Sequence, residues 1–243
     1  MIHFWKRLTT SPVAVRIFPF AFFLGLTFCQ GKLGAASAYW IYGLKTLVGL
    51  ALILAVWPFI GEMRWAFSWA GVGVGVAVFG IWVGLDGWYP DFTRLLAAWT
   101  GPVGKWLGLK PSGAEALALW NPLAAFGADS PLAWGVISVR ILGSSLVVPP
   151  LEEVFYLSFL YRYIVQPEFQ TVSLGRFHGG AFLLTAAVFG LAHQQWLAGI
   201  LCAFAYQGLV VWKGRLGDAM LAHAVTNFLL GLWVVWRGAW NFW

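Results

Sequence analysis

Long apolar runs, interrupted by Gly, Pro and a few charged residues, make up most of the chain, without the strict alternation of barrel strands. A helix that crosses a membrane needs about 20 apolar residues, within a range of about 17 to 25. On that measure the pattern predicts helices over Val13 to Cys29, Ser37 to Ile60, Ala66 to Leu85, Leu132 to Val148, Leu151 to Val165, Gly180 to Gly199, Ile200 to Trp212 and Ala219 to Trp236. Unpaired backbone groups in hydrocarbon cost several kcal/mol, so spanning chains form helices or closed barrels, and unbroken apolar runs exclude the barrel. The expected fold class is all-α, a polytopic transmembrane bundle of about seven or eight helices.

Two interruptions matter. Pro149 and Pro150 lack amide protons and are expected to end one helix and start another. That would put Glu152 and Glu153 in a first turn, where the helix dipole favours negative charge. The stretch from Asp86 to Ser130 holds Asp86, Asp91, Arg94, Lys105, Lys110, Glu115 and Asp129 among several Gly and Pro residues. It reads as an extramembrane connection with interfacial helices, anchored by Trp88, Tyr89, Trp99 and Trp106. With no internal repeat, the simplest division is one membrane domain over residues 1–243, with N-terminal helices and the loop over 12–131 and a core over 132–236.

Composition supports lipid as the solvent: of 243 residues, 60% are hydrophobic and 10% charged, with 17 Trp and 20 Phe, against about 25% charged in soluble domains. The net charge of +6 comes without a basic run or a phosphate loop. A nucleic-acid partner is therefore not expected, and the charge serves membrane orientation instead. With Lys6 and Arg7 cytoplasmic, Arg64, Arg162, Arg176, Lys213 and Arg215 share their side if Leu132 to Val165 crosses once. Cys29 and Cys202 lie far apart without metal-ligand spacing and read as inert core residues. Ala35 to Ala38 resembles a signal-peptidase site, but the flanking residues favour an uncleaved first helix.

The polar residues that stand out inside the apolar runs are Glu152 and Glu153, His193 at the end of an FxxxH, and His223 and Asn227 in an HxxxN. Four residues of helix put His223 and Asn227 on one face. Taken singly, each has a structural reading: a packed histidine, an interfacial helix start or an interhelical amide. Together, on three separate helices, they point to a shared polar cavity. A carboxylate beside an imidazole can take a proton from water, and a second His with an Asn can donate to a tetrahedral oxyanion. His3, His178 and Asp218 read as a terminus, a loop residue and the N-cap of the His223 helix.

In that order, the three motifs resemble the CAAX protease and bacteriocin-processing (Abi) family, which includes the type II CAAX prenyl endopeptidases. The resemblance covers roughly Leu132 to Trp236. It implies an intramembrane glutamate-type endopeptidase in which Glu152 and His193 activate water, Glu153 orients the site, and His223 with Asn227 forms the oxyanion hole. It also implies a membrane-associated or lipid-modified protein substrate within the bilayer, no cofactor, and a multi-pass protein of the bacterial inner membrane. The segment Gly84 to Pro90 is similar to bacterial CAAX-protease-related proteins that accompany exosortase sorting systems.

The family's first motif reads EExxxR, and here Leu157 occupies the arginine position. Arg162, five residues after Leu157, lies about 140° off the face of that position on an ideal helix, so Arg140 is the expected partner of Glu153. Two alternatives accompany the protease reading. One is a zinc peptidase with Glu152, His193 and His223 as ligands, although HExxH is absent. The other is a non-catalytic partner-binding, immunity or transport protein, for which Leu157 is the supporting feature.

Overall fold

The computed structural model describes residues 2–106 and 119–243. Lys110 and Glu115 of the expected connection lie outside the described residues. Among the described residues ten helices follow one another: α1 (Ile2–Thr10), α2 (Ala14–Cys29), α3 (Ser37–Val56), α4 (Trp69–Gly84), α5 (Phe92–Trp106), α6 (Pro122–Phe126), α7 (Pro131–Val165), α8 (Gly179–Leu191), α9 (Trp196–Lys213) and α10 (Gly217–Arg237). Four of the helical segments are long and apolar enough to cross a membrane: Ser37–Phe59, Pro131–Val165, Trp196–Lys213 and Gly217–Arg237. α2, α4 and α8 are shorter apolar helices. The all-α membrane bundle expected from the pattern is what forms.

The number of apolar helices is set by α7, where two predicted helices are one continuous helix of 35 residues. Pro149 and Pro150 do not break it. The helix widens just before them into a π segment, Gly143–Val147, in which the Val148 amide donates to Gly143 O. A second π segment runs from Val154 to Tyr161. A wider turn relieves the clash of a proline ring with the preceding carbonyl, an accommodation membrane helices use where water cannot satisfy the backbone. As a result, Glu152 and Glu153 sit in mid-helix, without the helix-start dipole expected for them.

α10 packs on α4, α7 and α9, while α8 pairs with α9 and the α2–α3 pair flanks α7. Small residues set these approaches, as they do where lipid removes most of the hydrophobic drive between helices. A Cβ on Gly75 would lie 2.5 Å from Ala222 O, so α4 meets α10 backbone to backbone. Outward, Leu47, Leu54, Leu183, Trp212 and Trp236 are exposed, an apolar surface that suits acyl chains rather than water. Trp88, before α5, and Trp106, at its end, are both 84% exposed.

One end of the bundle is tied by a carboxylate in the short connection after α3. Glu62 Oε1 accepts from Arg16 Nη2 at 2.7 Å, Arg162 Nη2 at 2.7 Å and Ser158 Oγ at 2.6 Å. Burial would raise the Glu62 carboxyl, but the Ser158 hydrogen bond and the Arg16 charge outweigh it and hold the group at about 2. At the same end, Asp218 accepts from Ser68 Oγ and pairs with Arg215. Asp218 lies inside the first turn of α10, whose N-cap is Leu216; it fastens α10 to α4 instead of capping it. His178 is the N-cap of α8, its Nδ1 accepting from the Ala181 amide at 3.1 Å. Cys202 is buried as expected, whereas Cys29 is exposed at the end of α2.

Candidate active site

α7 carries both glutamates, α10 carries His223 and Asn227, and the turn between α8 and α9 carries His193. The predicted helix Gly180 to Gly199 ends early, at Leu191. A Cβ on Gly190 would meet Ile200 Cγ1 at 2.3 Å and Trp196 O at 2.7 Å, so the two helices close directly on each other and leave His193 in a tight connection. The turn after α4 clasps that connection: the Phe92 amide donates to Gln194 O at 2.8 Å, and Trp196 Nε1 donates to Pro90 O at 3.0 Å.

Glu152, His193, His223 and Asn227 line one cavity of about 180 Å³, room for several waters. Glu153 stands behind this wall. Its Oε1 lies 2.8 Å from His223 Nδ1, with only 2% and 5% of the two side chains exposed. The expected Arg140 partner is not there. Arg140 is instead surrounded by rings, its guanidinium carbon 4.7 Å from the centre of Tyr42, 4.3 Å from Trp120 and 5.2 Å from Trp243. Leu157 is buried in the hydrophobic core, and Arg162 is committed to Glu62.

The two imidazoles are held differently. His193 Nδ1 is 2.7 Å from Phe189 O, and a carbonyl can only accept, so Nδ1 carries the hydrogen and Nε2 is left as the variable nitrogen. His223 Nδ1 faces a carboxylate, so one proton can be shared between Glu153 and the ring. In the net-neutral form of that pair, which avoids an isolated charge in an apolar surround, Nε2 bears a hydrogen. One histidine is thus set to accept at the cavity and the other to donate.

Aromatic rings fix both orientations. Phe189 stacks on His193 with centroids 4.6 Å apart, and Trp82 meets the same ring edge-on at 5.6 Å. Tyr206 stacks on His223 at 5.2 Å and donates from its hydroxyl to Thr226 Oγ1 at 2.8 Å. Thr226 in turn reaches Gly75 O at 2.9 Å, so the close α4–α10 approach also supports the histidine. Asn227 donates one amide hydrogen to Ser144 O at 2.8 Å, leaving a second. Glu152 Oε2 is buried and has no hydrogen-bond partner among the described residues.

Trp82 and Tyr206 were not singled out in sequence, since an aromatic in an apolar helix reads as packing. The one available signal was the hydroxyl of Tyr206, a polar tip in a span that requires a partner. Among the described residues, no three His, Cys, Asp or Glu side chains are grouped so as to hold a metal ion. The zinc alternative with Glu152, His193 and His223 therefore lacks an assembled ligand set.

Residues 134–229 match a family model described as type II CAAX prenyl endopeptidase Rce1-like. The match contains all five candidate residues and does not reach Gly84 to Pro90, on which the likeness to sorting-system proteins rests. No curated protein and no solved structure matches the chain.

Proposed function

We propose, from the match of residues 134–229 to the type II CAAX prenyl endopeptidase Rce1-like family model, that the protein is an intramembrane endopeptidase that uses a glutamate and a histidine to activate water. The observation that carries this reading is the unpartnered Glu152 carboxylate oxygen in the same cavity as a histidine whose Nδ1 is already committed to a carbonyl. Glu152 and His193 Nε2 are both acceptors there, and a water between them loses a proton as its oxygen attacks the peptide carbonyl carbon. The new carbon–oxygen bond gives a tetrahedral oxyanion, which accepts from His223 Nε2–H and the free Asn227 amide hydrogen. Collapse breaks the carbon–nitrogen bond, the proton passes to the leaving amine, and a carboxylic acid is the other product. Glu153 acts through His223 by keeping the donor hydrogen on Nε2.

The glutamate that has lost its motif arginine is not left uncompensated, because His223 occupies its carboxylate. That argues for an active member over a partner-binding relic. An apolar groove of about 510 Å³ between α3, α6 and α7 shares Tyr42 with the cavity, a track suited to the lipid of a lipid-modified substrate. The cavity lies towards the bundle end that carries the α8–α9 turn, while Arg64, Arg176, Lys213 and Arg215 lie at the opposite end. With basic loops on the cytoplasmic side, the cavity would sit nearer the non-cytoplasmic face of a bacterial inner membrane.

The test is cleavage of a panel of lipidated and unlipidated peptides in reconstituted membranes by the wild type and by Glu152→Ala, each with and without EDTA. Cleavage that resists EDTA and disappears in the variant is expected. Cleavage that survives in Glu152→Ala, or that EDTA abolishes and zinc restores, would overturn the mechanism.

A further inference from the structure

The turn between α4 and α5 reaches across to the turn that carries His193. Gly87, at φ 77°, bends the chain out of α4, and the Asp91 carboxylate accepts from the Arg94 amide at 2.8 Å to start α5. Four groups of this segment contact residues 194–198. The Phe92 amide donates to Gln194 O and the Thr93 hydroxyl to Gln194 Oε1, both at 2.8 Å. Trp196 Nε1 donates to Pro90 O at 3.0 Å, and the Tyr89 hydroxyl accepts from the Ala198 amide at 3.2 Å. The Tyr89 and Trp196 rings also meet edge-on, with centroids 5.7 Å apart.

Tyr89 thereby completes the start of α9. The first amides of a helix have no partner inside it, and the residue before the helix usually supplies an acceptor. Here that residue is Gln195, whose side chain makes no such bond. It lines the cavity instead, and the acceptor comes from Tyr89. Trp82, near the end of α4, meets the His193 ring edge-on at 5.6 Å, so α4 and the turn after it hold His193 both by its ring and by the backbone that follows it. The same turn is tied to the end of the chain: Asn241 Nδ2 donates to Asp86 Oδ2 at 3.2 Å, beside Phe242 and Trp243, which also line the cavity.

We infer that residues 86–93 are a strap that sets the position of His193, with Tyr89 and Thr93 as positioning residues for the activation of water. This rests on the endopeptidase reading and deepens it. His193 lies beyond the end of α8 at Leu191, so its place depends on what grips the turn rather than on a helix. A base must stand within hydrogen-bond reach of the proton it takes, and a displacement of about 1 Å can cost about 10² in rate. Neither Tyr89 nor Thr93 lines the cavity; both act through the turn and not on the substrate.

Tyr89→Phe and Thr93→Val each remove one hydroxyl and keep the bulk of the side chain. In the full chain in reconstituted membranes, each is expected to lower kcat about threefold and the double variant about tenfold, with KM within about twofold of the wild type. Thr93→Ser keeps the hydroxyl and should keep the wild-type kcat. Glu62→Gln, at the opposite end of the bundle, is the control for lost stability, expected to melt earlier at unchanged kcat. An unchanged kcat in the double variant, or a rise in KM at constant kcat, overturns the inference.

The resting protein supplies a second readout that needs no cleavage. Nitrogen NMR of isotope-labelled histidine in bilayers should show His193 as the Nδ1–H tautomer alone, assigned by its loss in His193→Gln. In the double variant the loosened turn lets the bond to Phe189 O open, and both tautomers should appear. A wild-type tautomer pattern in the double variant overturns the inference. The two readings fail separately: mixed tautomers in the double variant with no cleavage by the wild type remove the protease reading and leave the strap, while cleavage that the double variant matches removes the strap and leaves the protease.

Discussion

His223 Nδ1 lies 2.8 Å from Glu153 Oε1, with both side chains sealed from solvent between α7 and α10. Leu157 is packed in the core, and His223 is the partner of Glu153. The contact also links the glutamate pair to the HxxxN motif: Glu153, outside the cavity lining, bonds His223, which lines it.

Removing the charge of Glu153 should therefore act on chemistry more than on substrate binding. With Glu153→Gln, the amide can accept from Nδ1–H as readily as donate to Nδ1, so the ring is no longer held in the form that carries a hydrogen on Nε2. The expected result is a fall in kcat of about 10² to 10³, the usual loss for one oxyanion donor, with KM nearly unchanged. A rise in KM at constant kcat would show that the pair serves binding. Steady-state kinetics on reconstituted protein decide it.

Supplying the missing motif residue should not help. Leu157 is buried in the core, and Glu153 is already engaged. Leu157→Arg is expected to lower the melting temperature in detergent by several degrees, corresponding to about 1 to 3 kcal/mol of overpacking and desolvation, with no gain in cleavage. An active and equally stable variant would mean that Glu153 exchanges partners freely.

Gly190 is the tightest of the approaches that position His193. Gly190→Ala puts a methyl group against the Trp196 carbonyl, which cannot move without the α9 backbone. Thermal melting should show a loss of about 1 to 3 kcal/mol, and kcat should drop with it. Gly208, where a Cβ meets nothing within 4 Å, is the control site; Gly208→Ala is expected to leave both quantities unchanged.

Acid should loosen the far end of the bundle. Glu62 is held at about 2 against an ordinary 4.5, so the folded state binds the proton more weakly than the unfolded state. Its stabilisation is complete above about pH 4.5 and is lost progressively as the pH falls towards 2. Melting temperatures measured from pH 7 to 3 should decline at the acid end for the wild type, and less steeply for Glu62→Gln, which starts from a lower value. Parallel curves would show that Glu62 is not the group responsible.

Much of this protein was legible in sequence because its causes are local or compositional. Apolar runs in a solvent without hydrogen-bonding capacity permit little besides helices, and the bundle follows from that. The motif residues were visible because polar groups are expensive in lipid, and the i, i+4 spacing of His223 and Asn227 placed both on the cavity face. The misreadings share a different cause. Pro149 and Pro150 were expected to break a helix on local grounds, yet packing against α3 and α10 supports a widened turn that carries the helix through them. Arg140 was recognised as a cation in an apolar run, but its neighbours Tyr42, Trp120 and Trp243 come from three distant parts of the chain. Glu153 and His223 are separated by 70 residues, and only the close approach of α7 to α10 makes them one acid–base pair. Sequence by itself determined the solvent, the helices and which residues must be compensated. Tertiary structure decided which partner compensates each, because the partner of a buried charge is set by which helices touch and not by spacing along any one of them.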